Sequence, residues 1–547
     1  MIELSCDVLI VGGGAAGSRA AYEAKRSRPD LSVVLVVAGE YGSSGSTNLI
    51  ASESLGINAP FDYAQDGDNP EVYLHDMLTT GAGLADPSLC RVIADEACAR
   101  VEELMALGLE FDSRGGRPLQ KKLSGCTKAR SLTCGGATGR EMVRVLKRAG
   151  AELGVQVVEH LRILDLLRDG GRVCGAVGVM GEEPVAVRAG AVVLATGGAG
   201  RVFRKNVNPP SLEGDGWAMA YRAGARLINM EFFQVGPAVV KPRMKFIIHS
   251  QMWHLKPRLT NAEGEEFLAR YCPEGTTPAE VIESKAMSYP FSVRTVARYL
   301  DIAIFKEIMA GRGTADGGVY FDVTHVGEAE LRRRAPITYE VLKQAGADLS
   351  TEKIQLGLAA QNFNGGVEID ANGFTNVEGL YAAGEVTGGV HGADRPGGNN
   401  LIDTQVFGYR AGRAAASYVA AAGSNGAPRV EAPNLTRDLA RASGPKAREI
   451  LERSADLFYR ELTIVRRGVG LKRVLDFIAE HRCADLGHAV GNRLIVGQLL
   501  ALAALSREES RGTHYREDFP NTDPDWKRRV MVAAGTDGEP IVTLASL

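Results

Sequence analysis

The sequence predicts the α/β class: a Rossmann-like nucleotide domain assembled from separated stretches of chain, with other material inserted between them and a helical region at the end. Three observations carry this. A buried-strand pattern runs directly into glycines in DVLIVGGGAAG (Asp7–Gly17). Two further strands of that kind end in glycines far downstream, AVVLATGGAG (Ala191–Gly200) and GLYAAGEV (Gly379–Val386). Beyond about residue 426, KAREILERSADLFYREL and GNRLIVGQLLALAALSREES place apolar residues at helical spacing. At 547 residues the chain exceeds what one core accommodates, so two or three domains are expected.

Asp7–Val11 reads as a parallel strand buried on both faces. Gly12, Gly14 and Gly17 follow with G-x-G-x-x-G spacing, and a helix is expected from about Ala15 to Lys25, then a second strand over Ser32–Val37. Gly12 permits the tight turn, and Gly14, with Ala16 beside it, lets backbone approach a pyrophosphate. Gly17 lets helix and strand pack closely, and the helix N-terminus faces the phosphates. This context predicts a bound dinucleotide. The second strand should end in an acidic residue that holds the adenosine ribose, but Val37 and Ala38 stand there and Glu40 comes late. Either Glu40 reaches back, or backbone and solvent hold the sugar and Glu40 is a solvated turn residue. GSSGSTNL (Gly42–Leu49), with Ser46 and Thr47, is a small-residue loop able to lie against a ring or a diphosphate. Ala195, Thr196 and Gly197 end the second glycine-tipped strand in the same manner.

Composition sets limits. The formal net charge is -3, which argues against a general nucleic-acid or anionic-membrane surface. None of the 8 cysteines forms a C-x-x-C pair, so neither a built-in iron–sulfur cluster nor a structural metal is expected, and a reducing compartment fits. No signal peptide precedes the first strand and no apolar run is expected to span a membrane, which points to a cytoplasmic enzyme.

Six segments occur in one order: DVLIVGGGAAG, GATGREMVRVL, VVLATGGAG, EGDGWAMAYRAGARLINMEFFQ, GLYAAGEVTGGVHGADRPGGNNLIDTQVFGYRAG and SREESRGTHYREDFP. Through them nearly the whole chain resembles the flavoprotein subunits of fumarate reductase and succinate dehydrogenase, together with L-aspartate oxidase and the adenylylsulfate reductase flavoprotein. The resemblance implies FAD as cofactor. It also implies a discontinuous FAD domain (1–230 and 348–425), an inserted α+β capping domain (231–347) and a C-terminal helical domain (426–547). Asp215 falls in the cofactor-binding part of its motif. The glycines of HGADRPGGNN would lie against the isoalloxazine and ribityl chain, with backbone N–H groups near Asn400 and Leu401 facing the flavin pyrimidine edge. Glu385 would accept hydrogen bonds from cofactor hydroxyls. Arg395 would hold a substrate carboxylate through a forked contact, or else neutralise Asp394 or Asp403.

The fumarate and succinate enzymes also use a His in a Q-x-H-P-T stretch, a T-E-x-x-R-x-E run and a second His before the GG of a returning strand. Here FFQVGPAVV puts Gly236 at the first position, HSQMWHLKPR puts Ser250 and Trp253 at the Glu and Arg of the run, and Gln361 takes the place of the second His. A flavin-linking His is absent, with Ser46 in that region, so FAD is expected to be non-covalent. The replacement segment KPRMKFIIHSQMWHLKPR is basic and aromatic. It suits an anionic substrate, with a ring stacked on Trp253 and acid–base chemistry from His249 or His254, unless it is merely a solvated basic face. Catalytic candidates are therefore Arg395, His249, His254, Trp253 and Gln361.

Cys126 and Cys134 read as buried thiols. Arg130 is a candidate contact. Arg511, His514 and Arg516 read as a salt-bridged hinge, with Arg511 open as a second anion contact. Losing the positioned acid costs on the order of 10²–10⁴-fold in fumarate reduction. The chain is therefore expected to be an FAD-dependent oxidoreductase moving a hydride between flavin N5 and a small organic anion, and a poor fumarate reductase. Three alternatives stand beside this: a flavoprotein subunit with an iron–sulfur partner, an L-aspartate oxidase-like enzyme, and a flavin-binding module without turnover. Oligomerisation stays open.

Overall fold

The computed structural model describes residues 1–49, 53, 55–63, 67–422, 444–482 and 486–546. The first glycine-tipped strand, β1 (Ile2–Val11), has its apolar half, Val8–Val11, buried at the centre of a seven-stranded sheet. Strands Val33–Val36 and then Gln156–Val158 pair parallel on one side. Glu183–Leu194 pairs parallel on the other. This long strand is bordered along its first half by an antiparallel meander, Arg172–Met180 and Leu161–Asp169. Along its last residues it is bordered by Leu380–Ala382, parallel, with Val192 opposite Leu380. The third glycine-tipped strand thus completes the sheet from almost 190 residues away, as the three separated strand signals predict.

Helix α1 (Ala15–Ser27) follows β1 and packs against α2 (Asn399–Ala422). The approach is close because small residues meet: a Cβ on Gly412 would lie 2.3 Å from the Ala20 carbonyl oxygen. The two helices that begin at the nucleotide site are therefore locked together.

The cap is built on a four-stranded antiparallel sheet ordered Phe233–Lys241, Ile354–Phe363, Val319–Asp322, Arg258–Thr260. Its returning strand runs to Phe363, so cap structure continues past residue 347. The reason is local: Ile354–Phe363 finds its partner in the outgoing strand, and the pair forms a two-stranded tether to the nucleotide domain.

Helices Pro445–Leu462, Gly468–His481 and Gly487–Ser506 pack together as the C-terminal helical domain. A hairpin that the helical pattern did not signal lies beyond them. Arg529–Ala534 pairs with Pro540–Ala545 and, on its other edge, with Leu227–Ile228. One expectation needs correction. Gly487–Ser506 is long and apolar enough to cross a membrane. Most of it is buried, against the two other helices of the domain and the helix Asp215–Arg222, which accounts for its apolarity.

The expected hinge is a buried ionic cluster. Arg507 pairs with Glu231 at 2.7 Å and Glu509 at 2.9 Å, Arg511 pairs with Glu509 at 2.6 Å, and Arg516 pairs with Asp518 at 2.8 Å. Arg466 contacts the His514 imidazole, whose pKa is driven well down by burial and the surrounding guanidinium groups. Arg511 is spent here, on Glu509 and on the carbonyls of Ala82 and Asp523, and does not serve as a second anion contact.

Candidate active site

A cavity of about 670 Å³ lies where the nucleotide domain meets the cap, within the size range of small-molecule and cofactor sites. Its nucleotide part follows from the first βα turn. Gly12 has φ +112°, and a Cβ there would sit 2.3 Å from the Ala195 carbonyl oxygen. A Cβ on Gly17 would fall 1.8 Å from the Gly12 carbonyl oxygen. Gly17 therefore lies beneath the turn rather than on the wall, in its helix-packing role. Gly12, Gly14 and Ala16 line the wall, and with them the N-terminus of α1, whose positive end suits a diphosphate. Ser46 and Thr47 line it opposite, and Thr47 Oγ1 accepts from the Ala15 N–H at 3.3 Å, tying the small-residue loop to the helix start.

Ala195, Thr196, Gly197, Glu385, Asn400 and Leu401 also line the cavity. Thr196 Oγ1 is buried without a hydrogen-bond partner. Glu385 accepts from the Phe363 N–H at 3.2 Å, and burial raises its pKa to about 7. Asp215 lines the wall with both oxygens engaged, accepting from Arg162 Nε at 2.9 Å and Asn492 Nδ2 at 2.7 Å. The Glu40 carboxylate accepts from Ser43 Oγ at 3.0 Å and does not line the cavity, so the wall near the expected ribose is built of Ala38, Gly39 and Ser44. These features fit FAD. A helix N-terminus and glycine turn suit the diphosphate, the lone Thr196 hydroxyl and the Glu385 carboxyl suit sugar and ribityl hydroxyls, and the start of α2 suits the ring's electron-rich edge.

Arg395 lines the same cavity and is buried. Its Nη2 donates to Gln234 Oε1 at 2.9 Å, Nη1 donates to the Pro396 carbonyl at 2.8 Å, and Nε has no partner. Burial lowers its pKa to about 10, which leaves it a cation at neutral pH. Asp394 does not take this guanidinium as its ion-pair partner. It accepts the Arg395 backbone N–H at 2.8 Å and lies 3.5 Å from Arg294. Asp403, raised to about 7 by burial, lies 3.8 Å from His391.

From the cap, His249, His254 and Gln361 reach the wall. His254 is exposed, while burial pushes the His249 imidazole down to about 4. Trp253 is a correction. Its indole Nε1 donates to the Ile248 carbonyl at 3.2 Å and its ring meets Phe321 edge-on, so it is cap core and offers no face to a ligand. The short helix Ser250–Trp253 turns Met252 and Trp253 inward and leaves Ser250, Gln251 and His254 on the cavity side.

Arg130 is also structural: fully buried, it pairs with Asp68 and Asp76 at 2.9 Å each. Cys126 and Cys134 are buried thiols with pKa values raised to about 11 and 12 by burial.

Sequence reasoning missed Gln234, His391 and Tyr289, and named Asp403 only as a possible counter-charge. Tyr289 lines the cavity, donates to Gln361 Oε1 at 3.3 Å and has its ring centroid 5.0 Å from that of His249. No motif announces it, although a vacant-looking glycine at 236 was a signal that some other side chain fills that space.

Known proteins resemble the chain along its length. The FAD binding domain family matches residues 7–401, and the fumarate reductase flavoprotein C-terminal family matches residues 486–546. One polypeptide of the fumarate reductase (CoM/CoB) of Methanothermobacter marburgensis is 36% identical over 96% of this chain and 97% of its own. L-aspartate oxidase of Streptomyces coelicolor is 32% identical over 98% and 92%. Among solved structures, Mycobacterium smegmatis Sdh1 in complex with UQ1 superposes with a TM-score of 0.86 at 30% identity, covering 100% of this chain and 95% of that one.

Proposed function

Because the chain belongs to the family of FAD-dependent oxidoreductases that includes fumarate reductase and L-aspartate oxidase, we propose that it exchanges a hydride with a small organic anion held by Arg395, and that it is not an efficient fumarate reductase. When bound, FAD supplies two-electron hydride exchange at N5. The observation that carries the reading is Arg395 itself, a buried guanidinium fixed from behind by Gln234 and Pro396, on the wall of the cavity that also contains the glycine turn. A fork held in one orientation aligns a carboxylate through charge-assisted bonds.

The chain's other side chains limit the chemistry. Adding a proton to an alkene carbon calls for a positioned donor. Gly236, Ser250 and Gln361 supply none of ordinary acidity, and Trp253 is packed in the core. His249 is neutral at physiological pH, so it accepts a proton more readily than it gives one. Ser46 on the wall has no imidazole for linkage, which supports non-covalent FAD.

The test is an anaerobic screen. Oxidised holoenzyme is mixed with carboxylates, amino acids and aromatic acids while bleaching of the flavin band is followed, and reduced enzyme is challenged with fumarate. Bleaching by an organic acid that Arg395→Ala abolishes supports the reading. Rapid fumarate turnover, or bleaching indifferent to Arg395→Ala, overturns it. A second reading draws on relatives named as subunits: a flavoprotein subunit passing electrons to an iron–sulfur partner. Co-purification of a cysteine-rich protein favours it, whereas reoxidation by O₂ at the turnover rate favours an oxidase.

A further inference from the structure

Strand Phe233–Lys241 shapes the cap end of the cavity through two positions on one face. Gln234 accepts from Arg395 at 2.9 Å. Two residues on, a Cβ at Gly236 would lie 2.6 Å from Tyr289 Oη and 3.0 Å from Tyr289 Cζ. The Tyr289 hydroxyl thus occupies the volume that any side chain at 236 would need, although it comes from the segment after the helix Pro278–Met287. Its bond to Gln361 is long, at 3.3 Å, and so readily exchanged. Gln361 is the extra residue of a bulge: Gln234 stands opposite Asn362 and Val235 opposite Ala360, which leaves Gln361 out of the ladder and on the cavity wall.

The charge of this corner is balanced. The Lys285 ammonium lies 5.4 Å from the Tyr289 ring centroid, but 2.6 Å from Asp301, and both members of that pair are fully buried. His254 and Lys122, also on the wall, are exposed to solvent. A carboxylate against Tyr289, Gln361 and His249 would lose hydration without gaining a cation, whereas an uncharged carbonyl would gain the phenol's hydrogen bond.

Resting on the function proposed above, we infer that Tyr289 seats the end of the substrate remote from Arg395, and that this end is an uncharged hydrogen-bond acceptor. The substrate class is then a short monocarboxylate bearing an amide, ester or ketone carbonyl at its far end, not a dicarboxylate. Positions i and i+2 of one strand are about 6–7 Å apart, which limits the substrate to a few carbons.

Oxidised holoenzyme is titrated with the half-amide and the monomethyl ester of trans-butenedioic acid and with the diacid, following the flavin band and the heat of binding. The half-acids are expected to bind about tenfold tighter than the diacid, the worth of one hydrogen bond plus an avoided unpaired charge. Tyr289→Phe should remove most of that preference with FAD content unchanged, and the exchange variant Gly236→His/Tyr289→Ala should shift it toward the diacid. Wild-type binding of the diacid as tight as the half-acids, or a full preference retained by Tyr289→Phe, overturns the inference. If the diacid binds best and Arg395→Ala abolishes it, only the uncharged end is wrong. If none of the acids binds, or Arg395→Ala changes nothing, the proposed function falls as well.

Discussion

The Arg395 guanidinium donates to Gln234 across 161 residues of sequence, at 2.9 Å, and this contact ties the arginine's end of the cavity to the first strand of the cap. In the proposed function the orientation of the anion-holding fork is therefore coupled to that strand, whose own position is held by its ladder with Ile354–Phe363.

Arg395→Ala is expected to lower kcat/KM for the substrate by about 10–100-fold or more, the worth of lost charge-assisted bonds, with FAD content unchanged. Gln234→Ala keeps the cation but frees its orientation, and should give a smaller loss of about three- to tenfold. Stopped-flow reduction at several substrate concentrations checks both, and an Arg395→Ala variant with wild-type kcat/KM contradicts the site.

Acid precipitation should leave a colourless pellet and free FAD in the supernatant. Colour retained by the pellet would show a covalent bond and overturn the expectation of non-covalent FAD.

Glu385 should make cofactor binding pH-dependent. Its carboxyl is raised by burial from 4.5 to about 7. In the apoprotein this group therefore contributes stability that is full below about pH 4.5 and is lost as pH rises through about 7. In the proposed site cofactor hydroxyls donate to this carboxylate, so FAD should bind more tightly as pH rises through that range, releasing a proton when added below about pH 7. Glu385→Gln should flatten both profiles. Thermal midpoints of apoprotein from about pH 5 to 8, and proton release in weak buffer, give the answer. Unchanged profiles in the variant would assign them to Asp403, which burial also raises to about 7.

Lys285→Met should destabilise the cap by about 3–5 kcal/mol, because it strands the Asp301 carboxylate in an apolar interior. Lys285→Met/Asp301→Leu should recover much of the loss. Limited proteolysis and melting of the holoenzyme check the pair. Equal melting of single and double variants would show that the two charges are not coupled as their 2.6 Å contact indicates.

How far the site was legible depended on how local its causes are. The turn from Gly12 to Gly17 keeps a fixed spacing because Gly17 must pass under the Gly12 carbonyl, so spacing revealed it, although Gly12 is also pressed by the distant Ala195 carbonyl. Asn400 and Leu401, at the start of the helix Asn399–Ala422, were legible only through the resemblance of HGADRPGGNN to the family's motif. Trp253 misled because basic and aromatic neighbours resemble a ligand surface, while its direction is decided by one helical turn and by Phe321, 68 positions on. Arg130 found acids, Asp68 and Asp76, that no motif linked to it, whereas Arg511 took an acid of its own motif, Glu509, as the salt-bridged reading of that stretch expects. The hairpin Arg529–Ala534/Pro540–Ala545 pairs with Leu227–Ile228 about 300 residues earlier, a partnership that only the folded chain expresses.

The placement of Leu380–Ala382 beside Val192–Leu194 has a consequence for biosynthesis. During translation the ribosome must emit the whole lid before the last parallel strand can dock, so the nascent flavin cradle stays one strand short for most of synthesis. Its unpaired edge invites misassembly meanwhile. Prosthetic-group capture should therefore be a late event, and truncations ending before residue 380 should emerge aggregation-prone and without colour.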